Sequence, residues 1–177
     1  MVAYYTFDFT WALTQFEALK ASTTKLLSND ALQMALLIND NSQEDTLFQG
    51  LTYYARADFY LFRNQPDSAL MTLDLLLDVF PDHAIRDEAL LLKGKTLWAQ
   101  ARYTDAAQTL ETMIAAGRTI WADDALMLLG EIYAEHLNNT EKAMQAYEKI
   151  LFEFSGSTRL IEARKRYRAL RGDGALN

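Results

Sequence analysis

The side chains with the chemistry to act on a ligand are few and scattered along the chain. The 177 residues hold two histidines, His83 and His136, and no cysteine. Zero Cys excludes disulfides, thiol catalysis and Cys-based zinc sites. His136 adjoins Glu135, and Glu131 lies four residues before Glu135, so on a helix the two carboxylates share a face. Such a pair can share a proton or hold a hard cation. Glu131, Glu135 and His136 are therefore the residues that a helical enzyme or metal protein would use. Set against that, a charged pair on a helix is usually solvated, and a histidine at a helix end suits the dipole there. His83 falls in a turn far away in sequence. Asp123-Asp124 near a helix start is explained by capping and the dipole. No Gly-x-Ser-x-Gly elbow and no phosphate-cradling glycine loop is present. We expect no catalytic residue, no metal site and no cofactor.

A second charged constellation lies near the C-terminus: Arg159, Arg164, Lys165, Arg166, Arg168 and Arg171. On a helix Arg164, Arg168 and Arg171 share a face. That face is either the solvated side of a terminal helix or a patch that meets an acidic protein, RNA or an anionic lipid. The whole chain carries a formal charge of −7. General nucleic-acid binding, which needs clustered Lys and Arg on phosphates, is not expected.

The elements that must position these residues read as helices. Half of the residues are apolar, and there are only 7 Gly and 2 Pro, which favours an all-α chain with a sizeable core. No apolar run reaches the ~18 residues of a membrane span. MVAYYTFDFT lacks the basic and apolar regions of a signal peptide, and we expect a soluble protein, cytoplasmic or periplasmic. Period-two aromatics at 4–11 lead into a helix expected over 7–27, with Leu13, Phe16 and Leu19 inside. Asn29 or Asp30 then caps a short helix over 31–38, and the polar run 39–45 is the clearest loop.

From there one pattern recurs three times. Tyr53-x-x-Arg56-Ala57-x-x-Tyr60 is followed by Ala69-x-x-x-Leu73. Leu90-x-x-Lys93-Gly94-x-x-Leu97 is followed by Ala106-x-x-x-Leu110. Leu126-x-x-Leu129-Gly130-x-x-Tyr133 is followed by Ala143-x-x-x-Tyr147. The small residues let two helix backbones approach, and the large ones fill the space beside that contact. Pro66 suits the first turn of a helix, Pro81 ends one, Thr104 is the expected N-cap of the helix carrying Ala106, and Gly117 is a natural C-cap. The small residues are 12 apart within the first two copies and 13 in the third, and we expect the extra residue in the turn 136–139. A last helix is expected over 157–170, with a frayed tail from Arg171.

The three copies resemble the tetratricopeptide repeat (TPR) superfamily over roughly 45–170. Their length and the endings Phe80-Pro81 and Phe154-Ser155 further resemble bacterial envelope-type TPR proteins, those of outer-membrane assembly and Tol–Pal coordination, and the C-terminal part of longer TPR proteins. The resemblance implies an all-α, right-handed α-α superhelix: an N-terminal helical pair or degenerate repeat (1–44), three repeats (about 46–83, 84–118 and 120–156) and a C-terminal capping helix and tail (157–177). It also implies a concave groove lined by the first helix of each repeat. By position the groove would show Tyr54, Asp58, Leu61 and Phe62, then Leu91, Lys95 and Trp98, then Met127, Glu131 and Ala134. Only Lys95 would suit a clamp for a terminal carboxylate, and Asp58 and Glu131 would repel one, so that mode is excluded. The implied function is a non-enzymatic scaffold that holds a protein or peptide segment. The alternative is a structural module that self-associates, or the docking end of a larger TPR protein.

Overall fold

The computed structural model describes residues 1–20, 25–42, 47–117 and 119–173, whose regular structure is entirely helical. In chain order the helices are α1 (Val2–Tyr5), α2 (Phe9–Lys20), α3 (Lys25–Asp40), α4 (Gln49–Phe62), α5 (Pro66–Val79), α6 (Arg86–Ala99), α7 (Tyr103–Ala115), α8 (Ala122–Glu131), α9 (Thr140–Glu153) and α10 (Leu160–Arg171). They form two compact units, Met1–Ala89 and Leu90–Asn177, whose division falls inside α6. Sequence neighbours pack on each other, α2 on α3 and α4 on α5 in the first unit, α8 on α9 and α9 on α10 in the second. This is the layering of a helical-repeat solenoid.

The small residues of the recurring pattern are where helices touch. Ala57 and Ala69 have no exposed surface, and neither do Ala106 and Ala143. A Cβ built on Gly94 would lie 2.7 Å from Leu110 Cδ2, and one built on Gly130 would lie 2.4 Å from Cε1 of the Tyr147 ring. Glycine is required at Gly130 by that approach. The large partners Leu73, Leu110 and Tyr147 are buried to 1 % exposure or less, and at about 25 cal/mol per Å2 each contributes roughly 1.5–3 kcal/mol.

The turns inside the first two repeats close in the same way. Asn64 and Ala101 adopt left-handed φ of 56° and 59°. The next N–H, of Gln65 or Arg102, donates to the carbonyl of Tyr60 (2.8 Å) or Leu97 (2.9 Å), and the left-handed residue donates to Leu61 or Trp98 (both 2.9 Å). These are Schellman closures. They place the N-cap of α7 at Arg102, two residues before the expected Thr104, because the closure itself orients the chain and a side-chain cap is not needed.

The third repeat differs by one residue, and not in the turn. Asn138 is again left-handed, five residues before the small Ala143, as Asn64 precedes Ala69 and Ala101 precedes Ala106. The extra residue lies earlier, where α8 widens into a π-turn over Ile132–His136. Leu137 N–H donates to Ile132 O (3.0 Å), and Asn139 N–H still reaches Tyr133 O (2.8 Å). A π-turn absorbs one residue without breaking the ladder, so the closing contact to the third-repeat carbonyl survives.

The N-terminal region departs from expectation. Phe7 is left-handed (φ 65°) and separates α1 from α2. Asn29 and Asp30 lie within α3, both exposed, so they reach water and cap nothing. Asn39 and Asp40 also belong to α3, Asn41 and Ser42 form the turn that follows it, and the rest of the expected loop, 43–45, lies outside the described residues. Phe16 is buried and Leu13 half-buried, but Leu19 is 44 % exposed. At the other end α10 starts at Leu160 rather than 157, because the Ser157 hydroxyl is engaged in the preceding turn, donating to Asp123 and accepting the Arg159 N–H. Arg171 is the last residue of α10, and Gly172 is its left-handed cap.

Candidate functional site

In the first unit Asp58 accepts a hydrogen bond from the Tyr5 hydroxyl of α1 (3.2 Å). Burial raises the Asp58 carboxyl above its ordinary range, and the Tyr5 bond offsets part of that. Burial also pushes the Tyr54 phenol up, with Asp58 and Glu88 adding to it. Phe62 is 74 % exposed and its ring lies near Phe59 and Tyr5, at 6.5 and 5.8 Å. Arg56, the charge in an apolar slot of the pattern, turns outward over the Phe7 and Tyr53 rings.

In the second unit Leu91 is buried at 5 % exposure, which removes it from any free surface. Lys95 is exposed, and Trp98, one turn on, is half-buried. The Trp98 indole N–H is buried and has no acceptor among the described residues. Met127 and Glu131 are half-buried on α8.

Glu131 and Glu135 do converge, but on a protein cation. Arg166 of α10 reaches Glu135 (2.8 Å), its own-helix Glu162 (3.0 Å) and, more loosely, Glu131 (3.8 Å). His136 is turned away from both, its ring stacked on Tyr103 at 3.8 Å and 3°. The π-turn accounts for this divergence, since it rotates His136 relative to a straight helix. The two carboxylates thus share Arg166 while His136 has a different partner, and no group of three or more metal-ligating side chains occurs among the described residues. His83 is structural in setting. Its ring packs on Gly50 and edge-on to Phe80, and its Nδ1 accepts the Ile85 N–H (3.0 Å).

The basic run divides into engaged and outward-facing members. Arg159 pairs with Asp124 (2.6 Å), and Arg166 holds the carboxylates above. Arg171 pairs with Asp173 and lies over the Tyr167 ring. Arg164, Lys165 and Arg168 are exposed.

One cluster escaped the sequence reading. Glu111 of α7 accepts from the Tyr133 hydroxyl (2.5 Å) and from Lys142 Nζ (2.8 Å), and Lys142 also donates to Tyr133 (3.0 Å). Burial alone would raise the Glu111 carboxyl; the two bonds outweigh it and hold the group below its usual range. These residues rim an open cavity of about 360 Å3 with a floor that includes Ile114, Leu126 and Leu129. Glu111 and Lys142 are 31 residues apart, a separation at which no spacing rule operates.

No helix among the described residues is long and apolar enough to cross a membrane. No curated protein matches the chain. The family model described as tetratricopeptide repeat matches residues 54–119 and again 91–158. The two matches overlap across the Gly94 repeat and together cover more than half of the sequence, in register with the small-residue contacts and turn closures described above. Repeats of this kind generally mediate protein–protein interaction, and the family is typically non-enzymatic. The chain belongs to the tetratricopeptide repeat family.

Proposed function

We propose that this protein is a non-enzymatic scaffold that holds a segment of a partner protein against the first-helix faces of its repeats. In the second unit the residues that carry this are Lys95, Trp98, Met127 and Glu131; in the first unit the same role falls to Tyr54, Asp58 and Phe62. The observation that supports the reading most is Trp98. It is half-buried, its N–H lacks an acceptor among the described residues, and exposed Lys95 stands one turn before it. A buried donor without a partner is costly, and a turn of the indole on binding would bring it to a backbone carbonyl of the partner. Tryptophan is also a common interface anchor, since it buries much area at small entropic cost. A partly apolar segment with a carboxylate to meet Lys95 fits this face.

The test is affinity capture from the source cell's lysate, with the full chain as bait and a Trp98→Ala/Lys95→Glu chain as control, both checked for helicity. A protein retained by the first and lost from the second is the expected result. Equal retention by both baits moves the binding site off this face.

A second reading, self-association, is favoured by the exposed aromatics Trp11 and Phe62, at 55 % and 74 %. A concentration-dependent dimer in sedimentation, lost on Trp11→Ser/Phe62→Ser, is what it requires.

A further inference from the structure

The cavity formed by α7, α8 and α9 lies wholly in the second unit. None of Lys95, Trp98, Met127 and Glu131 lines it. Its floor owes its character to one exchange in the recurring pattern. The slot that holds Arg56 in the first copy and Lys93 in the second holds Leu129 in the third. Arginine and lysine cover apolar surface with their long stems, and the shorter leucine leaves bare what such a stem would cover. Leu126 and Leu129 are 3 and 4 % exposed, so the floor is a packed apolar surface. Half-buried Ile114 extends it onto α7.

The rim is charged, and its charges do not balance. Its one carboxylate, Glu111, is already held by Tyr133 and Lys142. Lys142 Nζ has three N–H donors, and its bonds to Glu111 and Tyr133 use two of them. Lys149 follows seven residues later, two turns along the same face of α9, and is exposed with no anionic partner among the described residues. Two ammonium groups therefore face one carboxylate, on a chain whose formal charge is −7.

We propose that this cavity is a second binding site, for an acidic segment of a partner protein. The segment seats one large apolar side chain on the Leu126 and Leu129 floor and sets carboxylates on either side of it against Lys149 and the spare N–H of Lys142. Charge complementarity selects the acidic residues, and the bare floor selects the apolar one. The cavity is open on its outer side, which suits side chains carried by a backbone that stays in water. An alkyl chain of a free amphiphile needs walls all round.

The probe is the synthetic peptide acetyl-Glu-Glu-Leu-Leu-Glu-Glu-amide, titrated into the isotopically labelled full chain and followed by NMR. Saturable shifts confined to α7, α9 and the floor residues of α8 are expected. Lys149→Glu should weaken binding about five-fold or more. Leu129→Lys, which restores the residue type of Lys93, should abolish it. Lys149 is exposed, so its variant decides the outcome even where Leu129→Lys loses helicity. The Trp98→Ala/Lys95→Glu chain should bind the probe as the native chain does, which separates this site from the first-helix faces. No saturable shift at millimolar peptide, or equal binding by the native and Lys149→Glu chains, overturns the proposal. Equal binding of the peptide with Gln in place of Glu overturns the acidic partner, and tighter binding of decanoate assigns the cavity to an anionic amphiphile and overturns a protein segment.

Discussion

Gly130 faces the Tyr147 ring so closely that a methyl group has no room. The first repeat has Ala57 and Leu73 at the same two positions, both fully buried. Gly130→Ala should therefore cost about 1–3 kcal/mol through overpacking, despite a helix-propensity gain of about 1 kcal/mol. The double change Gly130→Ala/Tyr147→Leu should recover most of it, as read from urea unfolding midpoints. Equal loss in the single and double variants would show that the ring is not the obstacle. Asp58 offers a test of sign. Its carboxyl is raised in the fold by burial, so the charged form is disfavoured there. Its contribution to stability is full below the unfolded carboxylate range, near pH 4, and is lost as pH rises through the raised folded value. Asp58→Asn keeps an acceptor for Tyr5 and removes the titration. It should raise Tm at pH 7 by roughly 1–4 °C and flatten the fall in stability that the native chain shows as pH rises above about 4.

The π-turn at the end of α8 makes a prediction about an element rather than a side chain. It stores the one residue by which the third repeat exceeds the other two, and the left-handed Asn138 still stands five residues before the small Ala143. Deleting Ala134 should convert Ile132–His136 into ordinary α-helix and let Asn139 reach the Tyr133 carbonyl by the shorter route that Gln65 and Arg102 use. Helicity by circular dichroism should be unchanged and Tm should move by less than about 4 °C, a change of about 1 kcal/mol. A cooperative loss of the second unit would mean that the wider turn is needed to seat His136 on Tyr103. The same element shows what could be read from sequence. The counts 12, 12 and 13 betray an insertion, but a count does not say on which side of the left-handed residue it falls. Thr104 was a reasonable cap by residue type, and the Schellman closure made that cap unnecessary. Asn29 and Asp30 look like helix starters, yet they also tolerate the exposed middle of a helix when neighbouring turns are apolar enough.

At the scale of the molecule, the repeat architecture was legible because it rests on side-chain volume at fixed spacing. Gly94 with Leu110 and Gly130 with Tyr147 are contacts that must recur wherever two helices cross closely, and their residues announce them. The candidate sites were less legible because they depend on pairs far apart in the chain. Nothing near Arg166 indicates that it gathers Glu131 and Glu135, nothing near Lys142 points to Glu111, and Leu91 looks like a groove residue until its burial is seen.

The turn closure shared by Asn64 and Ala101 is made of main-chain atoms alone, so its geometry owes nothing to the side chains that happen to occupy it. A joint of that kind is interchangeable. Segments cut at successive left-handed positions, such as 64–100, begin and end in the same backbone conformation. The array could in principle be lengthened by splicing in copies there, with each new junction already fitted to its neighbour.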